Sequence, residues 1–392
     1  MILKVLIVVL AILLALAALI YLVLFKDKSK KRQKHEFDPD FEAKRAETFP
    51  PPFPNGWFNL CSSDSIKKGE VKEITAFGQK LAVFRAENGE VGVVDAYCPH
   101  LGANLSDGKV EDNTLVCPFH AWNFNTKGKC VHIPYSDNGH NQEHTNANCW
   151  TVKENWGLIL VWYHSEGKAP TWDTEGYLEE LKSYKYYGST KETLRIHLQD
   201  FSENGADYAH FNVVHDLLTI PFANKFVHVT HKTHIEFGEG EEKHMAYFYD
   251  HAQIARNKDN SLIENAGGKA KVTYFGPGFL VFAFDTRFGC PMIVKTFTPI
   301  GTLKVRMEDH IYAPRNNFSL AVKYIVGEAA VQFHDDINIW ERKTFARKPM
   351  LVKGDGPIMK MRKWYSQFYS EENAFSEADD EKEPLYQEVQ SN

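Results

Sequence analysis

Two short loops, each carrying one cysteine and one histidine, constrain this chain more than any other feature. They read Cys98-Pro-His100 and Cys117-Pro-Phe-His120, and sixteen residues separate His100 from Cys117. A proline follows each cysteine, which favours tight turns in both loops. Thiolates and imidazoles held on tight turns are good metal ligands. The sequence therefore predicts a domain organised around a metal centre.

Two kinds of metal centre use two cysteines and two histidines. In a Rieske [2Fe–2S] cluster, two cysteines bind one iron and two histidines bind the other. A tetrahedral zinc site is the alternative, but zinc fingers group two cysteines and then two histidines, whereas each loop here carries one of each. Trp122 follows the second loop, and residues 128–134 supply a candidate covering loop. The pattern favours a Rieske cluster over zinc, and over four unrelated polar residues in a β-domain.

Composition limits the classes of function that remain. The chain has 392 residues, enough for two domains, and its net charge of −6 gives no reason to expect a nucleic-acid partner. Four cysteines lie outside the two loops and show no pairing pattern, which favours a reducing compartment. These are Cys61, Cys130, Cys149 and Cys290.

The N-terminal segment predicts a membrane anchor. Val5 to Phe25 is uncharged and, at 21 residues, long enough to cross a bilayer as a helix, and lysines and an arginine follow at once. The positive-inside rule then places the rest of the chain in the cytosol. A cleaved signal peptide is the alternative, but the sequence Ala15-Leu16-Ala17 lies inside the apolar run. We therefore predict a single-pass protein of the endoplasmic reticulum membrane with cytosolic catalytic domains.

The remaining pattern divides the chain into further regions. Strand-like alternation with turn residues dominates 56–170, and 171–370 combines antiparallel strands with helices, including a long helix from about Ser319 to Thr344. The acidic tail is predicted to be disordered. The expected organisation is a 1–25 anchor, a 26–55 basic and proline-rich linker, a 56–170 metal-binding β-domain, a 171–370 α+β catalytic domain and a 371–392 tail.

A second group of candidate ligands lies in the run from Glu203 to His215. Asp207 and His210 share one face of a helix, whereas His210 and His215 are five residues apart, about 140° on a regular helix. A metal shared by the two histidines therefore requires the helix to end or bulge between them. Two histidines and a carboxylate bind Fe(II) and leave positions open for O₂ and substrate. Taken alone, this spacing is a weak signal and favours a structural histidine pair; its place after the cysteine–histidine domain, with Asp207 three residues ahead of His210, favours a metal site instead.

The carboxylate ligand that would complete this metal site is predicted on the long helix from about Ser319 to Thr344. Asp336 falls on the apolar stripe formed by Phe333, Ile337 and Trp340, while Asp335 points about 100° away. A carboxylate on a buried face must be paired or bound to a metal. A salt bridge to Arg342 or Lys343 is the alternative. Asp207 is better assigned as a hydrogen-bond partner of His210 than as a ligand.

These motifs together resemble those of Rieske non-haem iron oxygenases, over residues 56–370. The chain is most similar to the membrane-anchored cholesterol 7-desaturase (Neverland) family, with bacterial 3-ketosteroid 9α-hydroxylase oxygenases as soluble relatives. The resemblance rests on the N-terminal anchor, the 203–215 run, and a late segment. That segment comprises Asp335-Asp336-Ile-Asn-Ile-Trp340, Gly354-Asp-Gly-Pro357 and Arg362-Lys-Trp-Tyr-Ser-Gln-Phe-Tyr369.

The resemblance implies a fold and a set of roles. The expected fold is a Rieske β-domain followed by a helix-grip catalytic domain of antiparallel sheet and helices. The [2Fe–2S] ligands are Cys98, His100, Cys117 and His120; the Fe(II) ligands are His210, His215 and Asp336. In a homotrimer, Asp207 links His120 of one subunit to His210 of the next, and Asn204 belongs to the same catalytic site.

The implied reaction is the conversion of cholesterol to 7-dehydrocholesterol for steroid hormone synthesis. It uses O₂ and NAD(P)H, and a separate reductase delivers the electrons, because the chain has no glycine-rich dinucleotide motif. One alternative is an oxygenase that hydroxylates another sterol or lipid. A second is a membrane-anchored Rieske electron carrier without catalysis. Iron content separates a carrier, with two irons per chain, from an oxygenase, with three.

Overall fold

The computed structural model of the chain describes residues 38–136, 145–220, 225–255, 261–287 and 289–370. The predicted anchor, the start of the linker and the acidic tail lie outside the described residues. Within them, the first half of the chain is built from small antiparallel sheets and the second half from one large sheet with helices on its face. The predicted α+β class is confirmed for these two regions.

The predicted single-pass membrane location is corrected by the structure. No helix in the described ranges is both long and apolar enough to cross a bilayer. The longest helix, Ser319–Trp340, carries His334, Asp335 and Asp336 near its end, and of these three Asp336 is buried. The predicted span itself, Val5 to Phe25, is not among the described residues.

The first domain places three antiparallel sheets around a buried core. One sheet has the order β1-β10-β9, a second β2-β3-β4 and a third β5-β6-β7-β8. Its strands are β1 Gly56–Ser62, β2 Val71–Ala76, β3 Gln79–Arg85, β4 Val91–Asp95, β5 Lys109–Glu111, β6 Thr114–Val116, β7 Asn123–Phe124, β8 Cys130–His132, β9 Val152–Asn155 and β10 Leu158–Tyr163. The two cysteine–histidine loops follow β4 and β6, so short strands fix both of their ends.

The second domain is an eight-stranded antiparallel sheet in the order β11-β18-β17-β16-β15-β14-β13-β12. Its strands are β11 Tyr184–Leu194, β12 Leu217–Ile220, β13 Lys225–Phe237, β14 Met245–Ala255, β15 Leu262–Phe275, β16 Phe279–Thr286, β17 Met292–Gly301 and β18 Lys304–Pro314. Successive side chains of a strand point to opposite faces. One face of this sheet packs on the first domain and the other packs on helices.

Five helices complete the described fold. They are α1 Pro39–Ala46, α2 Leu198–Asn204, α3 Tyr208–Val214, α4 Ser319–Trp340 and α5 Ile358–Ser366. The long helix ends four residues before the predicted Thr344. Phe201 of α2 stacks against Phe297 of β17 at 4.0 Å and lies 5.4 Å from Phe333 of α4. This aromatic contact fixes α2 and α4 over the same part of the sheet.

The opposite face of the sheet is joined to the first domain by buried polar contacts. The Arg306 guanidinium donates to the backbone carbonyls of Asn59, Leu60 and Thr75 at 3.0 to 3.1 Å. Thr298 also donates to the Asn59 carbonyl. Because these groups are buried, a shift of one domain over the other would leave them without partners. The two domains are therefore held in a fixed relative position.

Part of the predicted linker packs on the catalytic domain. Asp38 caps α1 by accepting from the backbone N–H groups of Asp40 and Phe41. Arg45 near the end of α1 is buried and donates to the carbonyls of Trp340 and Lys343. The Trp340 carbonyl ends α4 and Lys343 lies three residues beyond it; a cation at this C-terminal end is stabilising through the helix dipole. The segment from Asp38 onward is thus attached to the helix that carries Asp336.

Candidate metal centres

The two cysteine–histidine loops have the same backbone geometry. Cys98 N–H donates to the Ala103 carbonyl, and its carbonyl accepts from Gly102 N–H, both at 2.9 Å; Cys117 makes the equivalent bonds with Trp122 and Ala121. Gly102 and Ala121 occupy matching positions with left-handed φ values of 73° and 53°. Each loop is therefore a closed turn that buries its cysteine and leaves its histidine at the tip.

The four side chains converge in two pairs. The sulfur atoms of Cys98 and Cys117 are in contact, and the rings of His100 and His120 lie 4.7 Å apart. Nδ1 of each histidine is buried and has no hydrogen-bond partner among the described residues. Two unpartnered nitrogens facing two buried thiols are what a bound metal group would satisfy. The donor set therefore fits a cluster that takes sulfur at one end and nitrogen at the other.

The arrangement also separates the two metal centres that the sequence left open. Ligand atoms on one tetrahedral zinc ion lie mutually within about 4 Å, given bond lengths of about 2.0 to 2.3 Å. Among the described residues, the one group of three or more candidate ligands whose atoms lie within 4.8 Å of one another is elsewhere in the chain. The loops hold thiols near thiols and imidazoles near imidazoles, as two irons require.

Local packing holds the ring of His100 and buries the thiol of Cys98. Trp122, one of the flanking residues singled out in the sequence, stacks on His100 at 4.6 Å and 8°, and its Nε1 donates to Tyr135 at 2.8 Å. Burial raises the pKa of the Cys98 thiol to about 12, although the backbone N–H of His100 acts against this. A thiolate in this buried position needs a positive charge nearby, and a bound metal cation supplies it.

The second centre forms where a helix is broken. The run from residue 198 to 214 forms two short helices, α2 and α3, separated at residues 205–207. Helix α3 ends at Val214, and His215 leaves it with φ −113° and ψ 23°. The break required for a shared metal is therefore present between His210 and His215. Their rings lie 5.2 Å apart and almost perpendicular.

Asp336 joins these two histidines from the late helix. One ligand atom from each of His210, His215 and Asp336 lies within 4.8 Å of the other two. Nε2 of His215 is 3.1 Å from Oδ1 of Asp336, and both side chains are buried. This contact is with a histidine, not with Arg342 or Lys343. Two imidazoles and a carboxylate that leave one side open suit a mononuclear Fe(II).

The protonation state of His210 suits a metal as well. Its Nδ1–H donates to the Asp207 backbone carbonyl at 2.5 Å, which leaves Nε2 as the unprotonated nitrogen. Nε2 is buried and has no hydrogen-bond partner among the described residues. Burial lowers the pKa of His210 below its ordinary value, so the imidazole is neutral near pH 7, as a ligand must be.

Asp207 lies at the edge of this centre with its carboxylate partly exposed. It caps α3 because its carboxylate accepts from His210 N–H at 3.3 Å. The His210 ring donates to the Asp207 backbone carbonyl, and its Nδ1 lies 3.9 Å from the Asp207 carboxylate. Its side chain is 40% exposed. The carboxylate is therefore accessible to a group outside the described residues.

Asn204, which the family resemblance assigned to the catalytic site, donates to Oδ2 of Asp336 at 3.1 Å. Other groups that hold the ligands were missed by the sequence analysis. Glu203, the neighbour of Asn204, makes a buried bidentate ion pair with Arg362 of α5, with both hydrogen bonds at 3.0 Å. His231 contacts the His215 carbonyl at 3.2 Å and the Asp250 carboxylate at 2.9 Å. Arg362 belongs to a motif already noted, but its partner lies 159 residues away and no local pattern reveals it.

A glycine explains why the late segment packs so closely on the helix break. Gly356 has φ 102°, and a Cβ there would lie 2.2 Å from the Ala206 carbonyl oxygen. This approach allows the neighbouring Asp355 carbonyl to accept from Tyr208 N–H at 2.8 Å, at the start of α3. The Gly-Asp-Gly-Pro segment thus supports the helix that carries His210.

Comparisons with known proteins agree with this geometry. Residues 56–153 match the Rieske [2Fe-2S] domain family, and residues 161–369 match the 3-ketosteroid 9alpha-hydroxylase C-terminal domain family. A dicamba monooxygenase crystal structure has a similar fold, with a TM-score of 0.60 and 16% identity over 80% of this chain and 97% of that chain. The fold and the two centres define a Rieske non-haem iron oxygenase, whose cofactors are a [2Fe–2S] cluster and a mononuclear iron.

Two curated relatives narrow the assignment from this class of oxygenase to one family. The cholesterol 7-desaturase nvd of Hemicentrotus pulcherrimus is 39% identical over 82% of this chain and 71% of its own length. The cholesterol 7-desaturase of Caenorhabditis elegans is 34% identical over 84% of this chain and 79% of its own length. The chain belongs to the cholesterol 7-desaturase family.

Proposed function

We propose that this protein converts cholesterol to 7-dehydrocholesterol, with O₂ as oxidant and NAD(P)H as electron source through a separate reductase. The observation that carries this is the grouping of His210, His215 and Asp336 within 4.8 Å in a member of the cholesterol 7-desaturase family. A Rieske electron carrier does not need this second centre, so the carrier alternative is disfavoured. The product serves steroid hormone synthesis.

The metal-binding roles follow from the donor sets. Cys98, His100, Cys117 and His120 hold the [2Fe–2S] cluster, and His210, His215 and Asp336 hold Fe(II). Support comes from the unpartnered Nδ1 atoms of both loop histidines and the unpartnered Nε2 of His210. The domain limits of 56–170 and 171–370 are also proposed; the family matches at 56–153 and 161–369 support two consecutive domains.

The protein's own residues orient and protect the reaction. When bound, the cluster supplies one-electron transfer, and the mononuclear iron supplies O₂ activation. Asn204 holds Oδ2 of Asp336 by a hydrogen bond, which fixes the carboxylate plane. The Asp207 carbonyl holds the proton on Nδ1 of His210. Phe211, which lies beside both histidines, packs on Phe248 and keeps this side of the site dry.

A homotrimer completes the electron path in this proposal. Apolar side chains are exposed around the cluster loops, and Val213 of α3 is 76% exposed beside the iron centre. The loop residues are Tyr97, Leu101, Phe119 and Tyr135. Such surfaces favour burial against another copy of the chain. Asp207, with its partly exposed carboxylate, then connects His210 to His120 of the partner subunit by hydrogen bonds.

Sterol analysis of cells that express the chain and receive cholesterol tests this function. We expect a new 7-dehydrocholesterol peak that a His210→Ala variant lacks. Purified wild type should contain three irons per chain and the variant two, because the cluster ligands are untouched. A hydroxylated sterol instead would favour the lipid hydroxylase alternative. Two irons in wild type, with an active reductase present and no product, would favour the electron carrier.

A further inference from the structure

Strand β13 has an open edge beside α3, the helix that carries His210. β12 pairs with residues 225–228 of β13, whereas β14 pairs with residues 228–237 on the other side. No described strand covers the β12 side of β13 beyond His228. The alternate residues whose backbone groups point outward along this edge therefore need other partners. A helix laid over a sheet edge can supply them.

The α3 segment accepts three hydrogen bonds from this edge, all from odd-numbered residues of β13. The donors and acceptors are Val229 N–H to the Asp216 carbonyl at 2.7 Å, His231 N–H to Oδ1 of Asn212 at 3.0 Å and Ile235 N–H to Oη of Tyr208 at 2.8 Å. Two of the acceptors, Tyr208 and Asn212, lie about one helical turn apart on α3. The strand edge therefore fixes where α3 lies along β13.

The side chain of His231 makes a further contact, with an iron ligand. Its Nε2 donates to the backbone carbonyl of His215 at 3.2 Å, and a carbonyl can only accept, so this nitrogen carries a proton. On the other side of the ring, Nδ1 lies 2.9 Å from Oδ2 of Asp250. The His231 and Asp250 side chains are 4% and 12% exposed. The carboxylate thus holds the ring in the orientation that reaches His215.

His215 depends on such a contact because it lies beyond the end of α3. Carbonyls at a helix end have no donor within the helix, and the His231 ring supplies one. Rotation of this peptide unit would swing the His215 imidazole away from the other two ligands, whereas a metal site needs its ligands held within about 0.5 Å. Those two ligands already have hydrogen-bonded supports, in the Asp207 carbonyl and in Asn204.

We infer that His231 and Asn212 are positioning residues for the iron centre, which fix the distance of His215 from His210 across the open edge of β13. This rests on the proposed function for the role of both ligands. His231 acts through its ring on the backbone of His215, and Asn212 holds the His231 backbone against α3. Loss of either hydrogen bond lets His215 move relative to His210, so iron is bound more weakly.

The Fe(II) affinity of the purified full chain tests this inference without turnover. The [2Fe–2S] cluster stays loaded, a chelator empties the mononuclear site, and Fe(II) alone is titrated back without oxygen. We expect His231→Phe to bind Fe(II) about 10- to 100-fold more weakly than wild type. Asn212→Ala should cost less, because its hydrogen bond is exposed and water can replace it. Asn212→Asp keeps the acceptor and should restore the affinity.

Two other substitutions of His231 separate positioning from stability. Glutamine places an amide N–H near the position of Nε2, and asparagine places one near Nδ1. His231→Gln thus keeps the donor to His215 and loses the one to Asp250, whereas His231→Asn does the reverse. Fe(II) affinity should be higher in His231→Gln, but stability in urea should be higher in His231→Asn, because a buried carboxylate without its partner costs more than a carbonyl. A merely structural role would give the same order in both measurements.

His234→Phe is the matched control on the same strand. The His234 side chain is 58% exposed, and its ring stacks on Tyr249 at 4.7 Å. Phenylalanine keeps this stacking, so the Fe(II) affinity should equal that of wild type. Product formation from cholesterol is measured in the same preparations with reductase and NAD(P)H.

The outcomes separate this inference from the function it rests on. Wild-type Fe(II) affinity in His231→Phe, or equal affinity in His231→Gln and His231→Asn, overturns the positioning role and leaves the desaturase untouched. The expected order of affinities without any 7-dehydrocholesterol from wild type leaves the positioning role standing and contradicts the desaturase. If wild type takes up no Fe(II) at the emptied site, both are wrong.

Discussion

Arg45 offers the most direct test of how the fold supports the iron centre. Its side chain is fully buried and donates to the Trp340 carbonyl at 2.9 Å, the Lys343 carbonyl at 2.8 Å and the Arg195 carbonyl at 3.2 Å. It also pairs with Glu42 at 2.8 Å. The guanidinium thus supplies a hydrogen-bond donor to the C-terminal end of α4, which lies four residues beyond Asp336.

Arg45→Ala leaves these carbonyls without their donor. The bond to Trp340 is fully buried and the other two are partly buried. Each buried group left unsatisfied costs about 1 to 3 kcal/mol, and the lower figure applies to the two partly buried ones. The expected loss in the free energy of unfolding is then about 4 kcal/mol. For a large chain this lowers Tm by roughly 10 °C. A weaker α4 terminus should also reduce the iron bound at Asp336.

Thermal unfolding followed by circular dichroism, together with iron analysis, measures both effects. Lys44→Ala is the matched control, since Lys44 is its neighbour on α1 and is exposed; it should change stability by less than about 0.5 kcal/mol. Arg45→Lys keeps the charge but not the planar fork and should recover only part of the loss. An Arg45→Ala protein within about 1 kcal/mol of wild type would refute the reasoning.

Three further substitutions test the surroundings of the site. Burial lowers the pKa of His197 to about 4. Since the unfolded chain binds this proton at about pH 6.5, the folded state loses up to about 3 kcal/mol of stability as pH falls from 6.5 to 4. His197→Asn keeps a helix-capping acceptor and should reduce that loss in urea titrations at each pH. Glu203→Gln leaves the buried Arg362 charge partly unpaired and should cost about 3 kcal/mol in urea unfolding. Gly356→Ala should shift the start of α3 and lower Tm and iron content, because its Cβ meets a carbonyl oxygen at 2.2 Å.

Each of these has a result that would contradict it. Identical pH slopes for wild type and His197→Asn between pH 4 and 6.5 would mean that His197 takes up no proton on unfolding. If Glu203→Leu with Arg362→Met is no more stable than Glu203→Gln alone, the unpaired charge is not the cause. Gly354 also has a left-handed φ, of 109°, but open space around its Cβ; an equal effect of Gly354→Ala would rule out the steric explanation.

The sequence was sufficient where a feature is local. The cluster loops close through backbone bonds between residues four and five positions apart, so Cys98-Pro-His100 and Cys117-Pro-Phe-His120 carry their own geometry. The spacing of His210 and His215 likewise required a break in the helix, and the break is there. Even the outlying Asp336 was indicated, because a carboxylate on an apolar helical stripe needs a partner.

Tertiary structure decided everything that depends on chain segments far apart in sequence. The helix end at Trp340 is satisfied by Arg45, 295 residues earlier, and Glu203 meets Arg362 across 159 residues. Lys295 faces Asp309 only because β17 and β18 pair in one register, and a shift by one residue would turn each side chain to the other face. Residue types and spacings determine which metals the chain can bind. Long-range packing determines which polar groups remain unpartnered beside those metals, because burial is a property of the assembled sheet and helices rather than of any short segment.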